Sequence, residues 1–240
     1  MNDIADRARH PDQLRGSPAA KSPIVRPRDA ASLILLRGKG SDLELLAGRR
    51  PLQMKFMPGV YVFPGGAIDR EDGRRWRGES GGEHLAPRLL RCARAALRET
   101  WEETGVLVGR RSPERHASDP GMTPVEAAYA EHGLTAAIGV LTYVGRAITP
   151  TPVFRRFNTR FFLADGEHVF GEPAANDEFE DVRWHPIGRQ PLSPFRDVTQ
   201  FMLARAIAVR DGTASPEAPL FCSMRGARRV LVCREAILDL

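Results

Sequence analysis

The sequence predicts an α/β protein, with strands interrupted by a few helices, and three observations carry that expectation. Apolar runs of strand length recur at Ala31–Arg37, Leu43–Ala47, Ile138–Ile148 and Phe157–Leu163. Pro87 opens a stretch rich in Leu, Ala and Arg, with no further Pro or Gly before Gly105, which is the chemistry of a helix. The 240 residues, 42% hydrophobic and 27% charged, suffice for one well-packed domain with a tail.

Met1 to Pro27 scatters Arg, Pro, Asp and Ser without period and is expected to be a flexible tail, leaving 28–240 as a single domain. The first two apolar runs flank Gly38-Lys39-Gly40-Ser41-Asp42 and read as a hairpin. Arg49, Arg50 and Lys55 follow in a basic loop, which is either an ordinary solvated loop or a phosphate-binding one. A strand at Val62-Phe63-Pro64 then runs into Gly65-Gly66, where backbone can approach a ligand closely.

A helix is expected from Pro87 to Thr104, with Pro at its first turn and Gly105 just past its end. Glu99, Glu102 and Glu103 lie three and four residues apart and share one face. Either Arg94, Arg98 and water neutralise them, or a hard divalent cation does. Their position favours the cation, because acidic groups at the C-terminal end oppose the helix dipole.

Beyond Leu107-Val108 and a polar stretch, Thr123-Pro124-Val125-Glu126 has the form of a capping box and opens a helix to about His132. Arg155-Arg156 stands beside aromatic residues ahead of the Phe157 strand and could hold a phosphate and a base. The segment Asn176 to Trp184 is acidic and then becomes a strand; Glu178 and Glu180 are its candidate functional carboxylates. Ser193-Pro194-Phe195 caps a helix through about Val209, with Val198, Met202, Ala206 and Val209 as a core stripe. Arg229–Cys233 closes the chain as a candidate strand.

A net charge of +5, carried mostly by Arg, favours anionic partners such as nucleotides or phosphorylated cofactors. The lack of a Lys/Arg run or an aromatic-studded basic motif argues against nucleic acid. Cys92, Cys222 and Cys233 have no CxxC spacing and read as free thiols in a reducing cytoplasm. No apolar stretch reaches membrane-spanning length, and the C-terminal Leu238-Asp239-Leu240 is not a peroxisomal address.

Gly66, Asp72, Arg98-Glu99, Glu102-Glu103 and Gly105-Val106 together resemble the Nudix box, Gly-x5-Glu-x7-Arg-Glu-(apolar)-x-Glu-Glu-x-Gly-(apolar), of the Nudix hydrolase superfamily. Asp72 stands where the first Glu belongs and Thr100 where an apolar residue does. Twenty-five residues separate Asp72 from Arg98, where the pattern has seven. The box is thus split between 66–72 and 98–106, and the insertion, about 73–88, is rich in Gly, Arg and Glu and is expected to be a surface excursion. Phe56 to Gly66, and the run Thr149 to Leu163, are similar to the subgroup that contains peroxisomal coenzyme A diphosphatases; Asn158 replaces an Asp of that subgroup.

The resemblance implies an α/β/α sandwich with a mixed sheet between helices. It implies attack of water on a phosphoanhydride, assisted by Mg²⁺ or Mn²⁺. Glu99 and Glu103 become metal ligands, Glu102 shares a second ion or its waters, and the Gly65 carbonyl is a further ligand. Arg98 holds the carboxylates, and the general base is Glu102 or Glu178. Arg49, Arg50, Lys55, Arg155 and Arg156 become substrate-binding candidates, and Gly66, Asp72 and Gly105 structural ones. The implied substrate is coenzyme A or an acyl-CoA; ADP-ribose, NADH, dinucleoside polyphosphates and a catalytically idle nucleotide-binding domain are the alternatives.

Overall fold

Seven consecutive buried residues, Ala30 through Leu36, mark the strand on which the fold is built. The computed structural model describes residues 25–54, 57–113, 119–149, 155–189, 197–217, 219–225 and 229–234. In chain order its strands begin with β1 (Arg28–Arg37), β2 (Glu44–Arg49), β3 (Tyr61–Val62), β4 (Gly65–Ala67), β5 (Leu107–Arg111) and β6 (Leu134–Ala136). They continue with β7 (Thr142–Ile148), β8 (Phe157–Asp165), β9 (Val169–Phe170), β10 (Asp181–Pro186), β11 (Leu220–Arg225) and β12 (Arg229–Arg234). The helices are α1 (Pro87–Thr104), α2 (Pro124–Glu131) and α3 (Asp197–Arg210).

A strand buried without alternation must be covered on both faces. Ala31, Leu33 and Leu35 pack into one core with α1 and α2, while Ile34 and Leu36 pack into a second core with α3. The main sheet has the order β10-β2-β1-β8-β7-β11-β12, with β3 added beside β2 and β4 beside β1. Among the described strands of this sheet, only β1–β8 and β7–β11 are parallel, so the sheet is mixed, as the α/β/α sandwich requires. A smaller sheet, β6-β5-β9, lies beyond the C-terminal end of α1.

Helix α1 has the predicted bounds, and Gly105 takes the left-handed conformation, φ 76°, that ends it. The buried face is dominated by small residues, Ala93, Ala96 and Thr100, and it packs on β1 and β4. With Gly65, Gly66 and Ala67 opposite, neither side holds the backbones apart. Thr100, at the apolar position of the box, is fully buried because its hydroxyl donates to the Ala96 carbonyl (2.7 Å) inside the helix.

Several elements differ from expectation. Strand β2 runs to Arg49, which therefore sits in a strand and not in the basic loop. The run from Ile138 is broken into a short 3-10 turn (Ile138–Val140) and β7. The acidic stretch does give way to a strand as expected, and Glu178 and Glu180 lie ahead of it, since β10 begins at Asp181. The tail expected for 1–27 falls outside the described residues as far as 24, as do Lys55 and the Ser193-Pro194-Phe195 cap.

The insertion keeps Arg74, Arg75, Arg77, Glu83 and Arg88 exposed, but it is pinned to the core at Trp76 and Glu79. Trp76 is buried against Tyr129 of α2, with ring centroids 6.4 Å apart. Glu79 is buried and accepts from Arg94 Nε (2.8 Å), Arg94 Nη2 (2.7 Å) and the Trp76 N–H (3.0 Å). The Gly, Arg and Glu content has the composition of a solvated loop, but Glu79 and Arg74 find partners 15 and 52 residues away.

Arg74 and the Arg77 N–H also close on Glu126, which completes the predicted capping box with Thr123. Burial alone would raise the Glu126 pKa, but the Arg74 guanidinium, the Thr123 and Arg77 N–H groups and the Thr123 hydroxyl together pull it down to about 2. A depressed carboxylate stabilises the fold above its unfolded pKa, near 4.5, and that contribution disappears as pH falls toward 2. Thermal unfolding followed between pH 5 and 2 should therefore show a steeper loss of stability in the native protein than in Glu126→Gln.

Candidate active site

The site is built where the C-terminal half of α1 crosses β4. Glu103 is 4% exposed, and its Oε2 accepts the Gly65 N–H at 2.7 Å. Gly65 has φ 153°, and a Cβ there would lie 2.4 Å from the Ala31 carbonyl. At Gly66 a Cβ would come within 2.5 Å of the Glu99 carboxylate. The double glycine is thus a close approach between backbone and two carboxylates.

Arg98 braces the cluster. Nε and Nη2 each reach one oxygen of the fully buried Asp72 at 3.0 Å. Nη1 reaches Glu99 (2.9 Å) and Glu102 (2.8 Å), and Nη2 also donates to the Ala67 carbonyl (3.0 Å). Burial lowers the Arg98 pKa, but hydrogen bonding to Asp72 and the charges of Glu99, Asp72 and Glu102 more than reverse that and raise it. Asp72, the short substitute for a Glu, therefore acts as the partner of Arg98. Its side chain also accepts the Asp69 N–H (2.7 Å), so the turn leaving β4 is fastened to the helix.

Burial raises the pKa of Glu99, with Glu102 and Glu178 adding to the shift and Arg98 opposing it. Burial likewise pushes Glu103 well up, opposed by the Gly65 N–H and reinforced by Glu99 and Glu178, while the Arg50 charge pulls it down. Glu178 and Arg50, from two other segments, thus lie within electrostatic reach of the α1 carboxylates. Glu180 is turned elsewhere, paired with Arg49 at 3.3 Å. Arg156 donates to the carbonyls of Thr149 (3.0 Å) and Val25 (2.8 Å), and Arg155 is exposed. No described contact joins either to the carboxylates.

One residue of the site was missed in the sequence. Asn176 Nδ2 donates to the carbonyls of both Glu102 and Glu103, at 3.0 Å each, and its Oδ1 accepts the N–H groups of Glu178 (2.9 Å) and Phe179 (3.1 Å). An Asn opening an acidic, irregular stretch is a common turn former, the one signal available beforehand.

Among the described residues, no group of three His, Cys, Asp or Glu side chains is already gathered as a metal shell. The donor set nonetheless fits a hard divalent cation. It consists of carboxylates, one of them deeply buried, whose mutual repulsion Arg98 only partly offsets. Arg98 takes one oxygen of Glu99 and one of Glu102, and each keeps its second.

A solved NUDIX hydrolase from Alicyclobacillus acidocaldarius is 31% identical to this chain and superposes with a TM-score of 0.51, covering 83% of this chain and 87% of its own. The chain belongs to the Nudix hydrolase superfamily. Putative nudix hydrolase 7 of Caenorhabditis elegans is 31% identical over 167 residues, which is 65% of this chain and 50% of that protein. The peroxisomal coenzyme A diphosphatase ndx-8 of the same organism is 39% identical over 80 residues, 33% of this chain and 27% of its own. The chain thus spans half or less of the curated relatives it matches. No family model matches it. The two segments that resemble the split box, 66–72 and 98–106, are joined by the Arg98–Asp72 ion pair and by the packing of α1 on β4. Among the described residues, no helix is long and apolar enough to cross a membrane.

Proposed function

We propose that residues 28–240 form one catalytic unit that hydrolyses a phosphoanhydride bond in a nucleoside diphosphate-linked compound, with Mg²⁺ or Mn²⁺ as cofactor. The observation that carries this reading is Glu103, a carboxylate sealed beneath the Gly65 N–H with Glu99 and Glu178 adding negative charge beside it. Such a cluster is costly without a cation and useful with one. Glu99, Glu103 and the Gly65 carbonyl are the proposed ligands, with Glu102 sharing a second ion or its waters. The cation, when bound, polarises the bridging phosphates and lowers the pKa of the attacking water. Arg98 orients Glu99 and Glu102, and Glu178 takes the proton from water, in preference to Glu102, whose carboxylate is engaged by Arg98.

Arg50, whose charge reaches Glu103, is the favoured phosphate ligand. Arg49, Lys55, Arg155 and Arg156 remain candidates for the rest of the substrate. Coenzyme A or acyl-CoA, cut to 3′,5′-ADP and a 4′-phosphopantetheine, is the proposed substrate. Its support is the partial likeness to the coenzyme A diphosphatase and the Arg155-Arg156-Phe157 patch. A cytoplasmic setting is proposed from the buried free thiol of Cys92.

Hydrolysis of CoA, acetyl-CoA, dephospho-CoA, ADP-ribose and NADH with Mg²⁺, and again with Mn²⁺, tests the reading. Preference for CoA over dephospho-CoA supports the substrate. Equal rates, or activity only on ADP-ribose, leave the hydrolase and sink CoA. No turnover of any compound makes the chain a nucleotide-binding module.

A further inference from the structure

The two strands of the proposed mechanism come from separate parts of the chain. The metal-binding carboxylates sit on α1, and Glu178 sits on an irregular loop more than seventy residues later, ahead of β10. A loop carboxylate serves as a base only if its distance and angle to the helix are fixed. The geometry points to Asn176 as the positioning residue that fixes Glu178 against the metal-binding end of α1.

Asn176 suits this task chemically. The amide offers donors on one side and an acceptor on the other, in one rigid plane on a short stem. The donor side satisfies carbonyls at the open end of the helix, those of Glu102 and Glu103, the same two residues whose side chains belong to the cluster. The acceptor side holds the Glu178 and Phe179 N–H groups. The Asn176 N–H also donates to the Phe179 carbonyl (3.1 Å), closing the turn on itself. Asp here would set a carboxylate against two carbonyls, and Gln would reach too far for this compact turn.

Two other anchors keep the loop attached without Asn176. The Ala174 N–H donates to the Thr104 carbonyl (3.0 Å), and Phe179 is fully buried over Gly48, where a Cβ would come 2.2 Å from its ring. Removing the Asn176 side chain should therefore loosen the aim of Glu178 and leave the loop in place. Both sides of the Asn176 amide are taken up by backbone groups, so the effect is expected in kcat.

This inference rests on the hydrolase reading and is tested with it. CoA and ADP-ribose are assayed in parallel with Mg²⁺, using the wild type, Asn176→Ala, Glu178→Gln, the double variant and Glu103→Gln. Asn176→Ala should lower kcat about 10- to 100-fold with KM held within about 3-fold, the scale of a misplaced catalytic group. In the Glu178→Gln background the same change should add less than about a 2-fold loss, since residues acting as a unit are not additive. Hydrogen exchange on the metal-free protein should show faster exchange in 174–180 of Asn176→Ala and no change in the core of α1.

A kcat near wild type in Asn176→Ala or in Glu178→Gln overturns the inference, and so does a loss that multiplies in the double variant. If Glu103→Gln is inactive while Asn176→Ala is not, the hydrolase reading stands and only the role of Asn176 falls. A wild type that cleaves neither compound overturns both.

Discussion

Glu103→Gln is expected to abolish turnover, by about 10³-fold or more in kcat, while the protein remains folded. The substitution keeps the shape of the side chain and its contact with the Gly65 N–H, at a position 4% exposed. What it removes is the anionic ligand of a proposed cation that activates water and polarises the phosphoanhydride. Glu103 also lies in the field of Glu99 and Glu178, so the neutral amide relieves repulsion in the metal-free state. Thermal unfolding separates this from simple damage. Metal-free Glu103→Gln should melt no lower than the wild type, and the rise in Tm that Mg²⁺ gives the wild type should be largely lost. Full activity in Glu103→Gln would remove the observation on which the proposed function stands.

Glu79→Ala is expected to be the most damaging single change outside the carboxylate cluster, costing about 3–5 kcal/mol. The Glu79 and Arg94 side chains are 4% and 8% exposed, and the pair is bidentate. Truncating Glu79 leaves a buried guanidinium with the Asp72 carbonyl (3.3 Å) as its remaining described acceptor and strips the Trp76 N–H of its partner. For a chain of this length that loss corresponds to a fall in Tm of about 2–4 °C per kcal/mol. Replacing both residues, with Leu at 79 and Met at 94, should recover most of the stability, because an apolar pair leaves no buried charge behind. A loss under 1 kcal/mol in Glu79→Ala would mean that the insertion is a dispensable loop after all.

Those two experiments fall on opposite sides of what the amino-acid order alone reveals. The bounds of α1, its Gly105 stop, the capping box at Thr123–Glu126 and the core stripe of α3 were all legible, because each depends on residues within a few positions of one another. The shared face of Glu99, Glu102 and Glu103 was legible for the same reason, since helical geometry fixes it once the helix is granted. The short strands β4, β6 and β9 were not, because two or three residues carry no period and are strands only by virtue of their neighbours.

The site divides in the same way. Sequence supplied the carboxylates, but their environment comes from contacts between distant segments. Asp72 finds Arg98 across the insertion, and the insertion is held by Arg94 and Glu126 in place of water. Glu178 is separated from Glu180 by its surroundings: the charge of one reaches Glu103, the other pairs with Arg49. Asn176 acquires its bonds only because the loop lands on the open carbonyls of α1. Local order therefore wrote the helix and its acidic face, and long-range packing wrote which of those charges are buried, paired or left facing one another. The physical reason is range: helical periodicity and capping act over three or four residues, whereas burial and charge pairing depend on segments that meet only once the sheet is assembled.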